Sequence, residues 1–276
     1  RMQFEARSQS ARVLALASGK GGVGKTNLAV NLGIVLAQRG QRVALLDADL
    51  GLANVDVLLG LAPHESLLHV LRGERRLIDV MLTGPAGLRI IPAATGIAEL
   101  STLTPAQQLA LLDEIDTLTG SVDLLLVDTA AGVTPTALYF AAAAAETLVV
   151  TTPEPTALTD AYALIKLLAT RHGRRRFLVV VNMAHHRADA ERAFARLAGV
   201  AARFLQVELE FGGFVPLDDA VRAAVRRQEA VVCGAPASPA AVAIGHLADR
   251  VVGRPPATAS GGLQFFFRQL VAERGA

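Results

Sequence analysis

The sequence has 276 residues, with no tryptophan, one cysteine, two tyrosines and three lysines. A single cysteine, Cys233, excludes an intrachain disulfide framework and any metal site built from cysteines alone. No apolar run approaches the ~20 residues needed to cross a bilayer. Val13–Ala17 is too short for the core of a signal peptide, although Ala15-Leu16-Ala17 imitates a cleavage site. Charged residues are scarce, 19% against 52% hydrophobic, which is the reverse of a disordered chain. The expected address is the cytoplasm. Lysine is the sharpest shortage, because 24 of the 27 basic residues are arginine. A bias towards arginine codons is the plain explanation. Yet Lys20 and Lys25 lie in one glycine-rich loop, where a compact, flexible ammonium serves better than a rigid guanidinium fork.

What is present is a regular alternation. Short apolar runs at Val13–Ala17, Val43–Leu46, Leu88–Ile91, Leu124–Val127, Thr147–Val150 and Phe177–Val181 read as strands of a sheet covered on both faces. Asn27–Arg39, Pro105–Leu118, Ala157–Thr170 and Ala188–Leu197 read as crossover helices, with Leu217–Gln228 and Pro239–Val252 closing the domain. The pattern predicts an α/β fold with one doubly wound, mostly parallel sheet and helices on both faces. Residues 1–253 form the domain, 254–262 a linker rich in Pro, Gly and Ser, and 263–276 a tail.

Gly19-Lys20-Gly21-Gly22-Val23-Gly24-Lys25-Thr26 fits G-x-x-x-x-G-K-[ST] and stands between a predicted strand and a predicted helix, the context that motif requires. Backbone donors of Gly21, Gly22, Val23, Gly24 and the helix start at Lys25, Thr26 and Asn27 are candidates to hold phosphates. Lys25 is placed to reach the β- and γ-phosphates of ATP, and the Thr26 hydroxyl to bind Mg²⁺. Asp47 and Asp49 follow the second strand, where open α/β sheets bind ligands; the pair could equally form a turn and a helix cap. Asp128 ends the fourth apolar run and begins Asp128-Thr-Ala-Ala-Gly132. Asp123 reads as structural, and Asn182, closing its strand, as a base reader or a turn residue.

With Lys20 at its head, this loop resembles the deviant Walker A motif of the MinD/ParA ATPase family. The resemblance implies a slow Mg²⁺-dependent ATPase that forms a nucleotide-sandwich homodimer, with Lys20 reaching the partner's ATP. It gives Asp49 the role of positioning the attacking water and Asp47 that of supporting the magnesium shell. It assigns magnesium to Asp128, and adenine to Asn182 with the base-side segment Phe214–Asp218, including Pro216 and Asp218. Ala130 stands where many relatives have proline. The cluster-bearing branches need cysteines that this chain lacks, and with only Tyr139 and Tyr162 it lacks the tyrosine cluster of the bacterial kinase branch. Asp47–Gly60, Glu154–Lys166, Val181–Ala184 and Gly262–Val271 look like the flagellar-number regulators, FlhG and FleN, over nearly the whole chain. That branch implies a flagellar transcriptional activator as partner, a polar membrane address and, for some members, the GTPase FlhF. Residues 1–12 lack the D-Q-A-x-x-L-R helix that serves the last. A ParA-type DNA-partitioning ATPase, a MinD-type division-site regulator and a nucleotide-regulated adaptor are the alternatives.

Leu263, Phe266, Phe267, Leu270 and Val271 fall at i, i+3, i+4, i+7 and i+8, one apolar stripe on a helix. A membrane surface, the chain's own domain and a protein partner are the possible occupants, the first being favoured by the resemblance. The runs Arg174–Arg176 and Arg226-Arg227 read as solvated faces, so direct DNA binding is not expected. His185-His186 has no metal-ligand spacing around it, and Cys233 reads as a small buried hydrophobe.

Overall fold

The apolar runs become strands because each is buried on both sides. A computed structural model describes residues 11–49, 54–92, 113–115, 117–118, 120–254 and 268. Among them the strands are β1 (Arg12–Ser18), β2 (Val43–Ala48), β3 (Leu82–Thr83), β4 (Arg89–Ile91), β5 (Leu124–Ala131), β6 (Glu146–Thr151), β7 (Arg176–Ala184) and β8 (Glu208–Pro216). They form one sheet in the order β3-β4-β2-β5-β1-β6-β7-β8. Every neighbouring pair is parallel except β3 with β4. The helices are α1 (Lys25–Gln38), α2 (Val55–Leu58), α3 (Leu67–Leu71), α4 (Leu77–Val80), α5 (Pro135–Ala143), α6 (Pro155–His172), α7 (Arg187–Phe204), α8 (Asp219–Arg226), α9 (Val231–Gly234) and α10 (Pro239–Gly253).

Two apolar layers sandwich the sheet. On one face Val13, Ala15, Val127 and Val179 pack beneath Phe140 of α5, Leu164 and Leu168 of α6, and Leu197 of α7. On the other, Leu14, Leu16, Leu126 and Val180 pack beneath Leu28 and Leu32 of α1 and Ile244 and Leu247 of α10. Helix starts carry the expected chemistry. Proline opens α5, α6 and α10, and Thr134 and Ser238 accept hydrogen bonds from Ala137 N and Ala241 N. Gly173, at φ 66°, ends α6 in the left-handed conformation.

All six predicted strands are present, and the fold class is the expected one. The strand β8 was not expected. Its sequence, Glu-Leu-Glu-Phe-Gly-Gly-Phe-Val-Pro, alternates charge with apolar residues and then places two glycines, as suits an edge strand whose register shifts against β7. The helix expected at Pro105–Leu118 is described only at 113–115 and 117–118, which are helical. The residues 1–10, 50–53, the linker after Arg254 and the tail positions Leu263, Phe266, Phe267, Leu270 and Val271 lie outside the described residues. Cys233 is exposed rather than buried. The short α9 turns Val231 and Val232 inward, and the next residue faces out.

One contact fixes where the glycine-rich loop leaves the sheet. A Cβ on Gly19 would lie 2.1 Å from the carbonyl oxygen of Asp160 in α6. Only hydrogen fits, so the chain just past β1 runs directly against the α6 backbone. We therefore expect Gly19→Ala to destabilise the fold by about 3 kcal/mol through forced backbone movement. Gly40→Ala, at φ 82° with nothing within 4 Å of its Cβ, should show only conformational strain, about 1 kcal/mol. Equilibrium unfolding in denaturant measures both; equal losses would contradict the close-packing argument.

Candidate functional site

Side-chain alternation sends one polar residue from each of five adjacent strands to the same place. On the face covered by α1, Val43 and Leu45 lead to Asp47, Leu124 and Leu126 to Asp128, and Leu14 and Leu16 to Ser18. In the same way Leu148 and Val150 lead to Thr152, one residue past β6, and Leu178 and Val180 to Asn182. All five polar residues are buried, at the carboxyl ends of β2, β5, β1, β6 and β7. Asp47 and Asp128 are direct partners in the β2–β5 register.

The loop Gly19–Gly24 closes over this row and ends in α1. Gly24 is the N-cap of α1, at φ 80° in the left-handed region, and offers no side chain to the first-turn N–H groups. Those donors stay open to an anion, with the positive end of a 14-residue helix behind them. The loop is held from the base side as well. Asn182 Nδ2 donates to Val23 O at 2.7 Å, and a Cβ on Gly24 would lie 2.5 Å from that nitrogen. Asn182 Oδ1 accepts from Met183 N. The Asn182 amide is therefore a clamp on the loop in this structure, with one N–H left to turn towards a ligand.

Beneath the loop, Lys25 Nζ stands 2.5 Å from Asp128 Oδ1, and both side chains are buried. Asp128 Oδ2 is buried without a hydrogen-bond partner, as are the hydroxyls of Ser18 and Thr152. An orphaned carboxylate oxygen among donor-rich backbone fits a hydrated divalent cation, which binds oxygen ligands and keeps its waters. Thr26, at the second position of α1, and Asp47 complete the set of oxygen donors that could hold Mg²⁺. Asp47 Oδ1 accepts from Asp49 N, and its Oδ2 from Asn54 N and Val55 N, so it also ties down the start of α2. Asp49 is half-buried at the beginning of the segment leading to α2.

Lys20 points elsewhere. Its ammonium donates to Glu154 Oε2 at 3.0 Å and Thr156 Oγ1 at 3.1 Å, and it is partly exposed. Pro216 and Asp218 line a largely apolar cavity together with Gly24, Asn27, Asn182 and Met183, beside the loop where a base would lie. The Asp218 carboxylate is occupied, since it caps α8 through Ala220 N and α10 through Ala240 N. Asp123 is structural, paired with Arg42. The arginine run is divided: Arg175 and Arg176 lie on a solvated face as expected, and only Arg174 turns inward. Arg174 donates to the carbonyls of Ala142 and Ala144, and Arg176 pairs with Glu208. Among the described residues, no group of three His, Cys, Asp or Glu could hold a metal by itself.

The residues not foreseen were Ser18, Thr152, Glu154, Thr156 and Met183. Ser18 and Thr152 were legible as polar ends of apolar runs. Met183 is a non-glycine at φ 55°, in the mouth of the base-side cavity, and no local signal marks it.

This glycine loop, its lysine buried against a strand-end aspartate and its open helix start define a P-loop nucleotide-binding protein. A ParA family model, described as a NUBPL iron-transfer P-loop NTPase, matches residues 9–252. The chain belongs to the ParA/MinD family of P-loop NTPases. It is 49% identical over 261 residues to the "Antiactivator FleN" of Pseudomonas aeruginosa, covering 94% of this chain and 93% of that protein. It is 32% identical over 269 residues to the "Flagellum site-determining protein YlxH" of Helicobacter pylori, covering 96% and 91%. The septum site-determining protein MinD of Pyrococcus horikoshii, solved with Mg-ADP, superposes with TM-score 0.70 at 25% identity, over 88% of this chain and 96% of that one. Iron transfer, named in the family description, finds one cysteine in this chain, too few for an intrachain cluster site.

Burial, reinforced by the Asp128 charge, raises the Asp47 carboxyl from 3.8 to about 6, against the opposing pull of three backbone donors. A folded value above the unfolded one means that the associated stability is present below about pH 4 and is lost as pH rises through about 6. At neutral pH the ionised form costs about 3 kcal/mol, at ~1.4 kcal/mol per unit. Carboxyl carbon NMR of the nucleotide-free chain should show Asp47 titrating near 6; a midpoint at 4 or below would contradict this account of its burial.

Proposed function

We propose that this chain is a Mg²⁺-dependent ATPase switch that limits flagellar number. The observation that carries the reading is a complete phosphate cradle with a second loop lysine, Lys20, displayed outside it, in a chain alike over 94% of its length to an antiactivator. ATP binds with its phosphates on the loop donors of Gly21–Gly24 and the α1 start through Asn27, and its base in the cavity of Asn182 and Pro216. Lys25 swings from Asp128 to the β- and γ-phosphates, which frees the carboxylate for the magnesium shell with Thr26 and Asp47. Magnesium, when bound, neutralises phosphate charge and orders the phosphate oxygens. Asp49 orients the water whose oxygen attacks the γ-phosphorus as the bond to ADP breaks. Turnover is slow because the catalytic set is complete only in the dimer, where Lys20 reaches the partner's nucleotide.

The ATP-bound homodimer is the active state. Two tails acting together gain effective concentration over one, so dimerisation converts weak, reversible membrane contact into stable contact. In that state the dimer binds a flagellar transcriptional activator at the membrane; the GTPase FlhF is not assigned as a partner, since the D-Q-A-x-x-L-R segment is not present in residues 1–12. Direct DNA contact through the Arg174–Arg176 run is not part of this reading: Arg174 is held by the carbonyls of Ala142 and Ala144, and the chain's net charge is only +2.

Co-sedimentation with anionic vesicles, in ATP or ADP, tests the switch. We expect ATP-dependent binding that is lost when residues 263–276 are removed. Asp49→Ala should bind vesicles with ATP at least as well as wild type while its turnover falls by about 100-fold or more. Binding that ignores the nucleotide or survives tail removal would overturn the proposal.

A further inference from the structure

Lys20 is not free in the single chain. It comes from the loop after β1 and crosses to the first turn of α6, where Glu154 Oε2 accepts at 3.0 Å and Thr156 Oγ1 at 3.1 Å. Glu154 is the N-cap residue of α6, yet its side chain caps no backbone N–H. Its carboxylate is turned to the lysine instead. The arrangement is electrostatically incomplete. A cation stands at the N-terminal, positive end of an 18-residue helix, where an anion is the favoured occupant. What holds it there is one carboxylate and one hydroxyl, with Lys20 39% and Glu154 65% exposed at their side chains. Exposed pairs of this kind are weak and salt-sensitive. They exchange readily for a stronger anion.

We propose that Glu154 is a positioning residue that holds Lys20 within its own chain and sets the threshold at which ATP dimerises the protein. The inference rests on the reading that Lys20 acts across the dimer. The Glu154 carboxylate occupies the ammonium as a stand-in for the partner's phosphate. Dimerisation requires the lysine to leave Glu154 and Thr156, and this happens once in each chain. The contact is weak enough to open and specific enough to keep the ammonium off other acids. Gly19 makes the geometry reproducible, because its own close approach to the Asp160 backbone fixes the distance between the loop and α6.

Sedimentation equilibrium with a non-hydrolysable ATP analogue tests this in the 276-residue chain, using wild type, Glu154→Gln, Thr156→Val and Lys20→Ala. Glu154→Gln removes the charge and keeps the shape, and should tighten the dimer by about two- to ten-fold. Thr156→Val should shift it in the same direction by less. The difference between wild type and Glu154→Gln should shrink as salt rises from 50 mM to 500 mM, on the order of a Debye-screened pair. A purely structural role for Glu154 would instead lower the melting temperature without a salt-dependent dimer shift. If Lys20→Ala dimerises like wild type, the cross-dimer reading fails. If Lys20→Ala abolishes the dimer while Glu154→Gln leaves it unchanged or weaker, the positioning role of Glu154 is wrong and the cross-dimer reading stands.

Discussion

Everything at the carboxyl edge of the sheet depends on burying charge without stranding it. Lys25 and Asp128 lie in direct contact beneath the loop, and removing either would leave the other buried and unpaired, a loss of about 3–5 kcal/mol. Asp47 stands beside them in register, and its carboxyl is raised first by burial and second by the Asp128 charge. A cationic ligand relieves Asp47 and Asp128 together, and an anionic ligand relieves Lys25. A magnesium-bound polyphosphate does both at once. The nucleotide-free site is therefore poised: its own lysine serves as the counter-ion until a ligand replaces it.

The loop is held on two sides before any ligand arrives. Gly19 packs on the α6 backbone, and Gly24 abuts Asn182, whose amide is bonded to Val23 O. Phosphate donors fixed in this way do not have to be ordered on binding, which preserves affinity. The same clamps carry information outward. α6 meets Lys20 and Gly19, and the end of β7 meets the base cavity through Asn182 and Met183. The loop is thus joined to α6 on one side and to the end of β7 on the other.

Much of this was legible in the sequence, for identifiable reasons. Strands buried on both faces announce themselves as unbroken apolar runs, and a phosphate loop has a fixed spacing that few other turns share. The carboxylates at Asp47 and Asp128 were visible because a charge at the end of an apolar run has to be explained. β8 was hidden because an edge strand with two glycines has no such run. The engagement of Asn182 with Val23, of Lys20 with Glu154 and of Asp218 with the start of α10 could not be read locally, since each joins segments far apart in the chain. Of the two Asp47 readings, the structure shows the cap, with the carboxylate accepting from the start of α2 while it lies in register with Asp128.

The central claim is that the Lys25–Asp128–Asp47 layer is a preformed site for magnesium-bound nucleotide. Calorimetric titration of the nucleotide-free chain with ATP, with and without Mg²⁺, tests it most directly when repeated on Asp128→Asn. The account predicts that Mg²⁺ tightens ATP binding to the wild-type chain by about ten-fold or more and that Asp128→Asn abolishes this gain. Binding that is indifferent to Mg²⁺ in the wild-type chain, or an undiminished Mg²⁺ effect in Asp128→Asn, would contradict it.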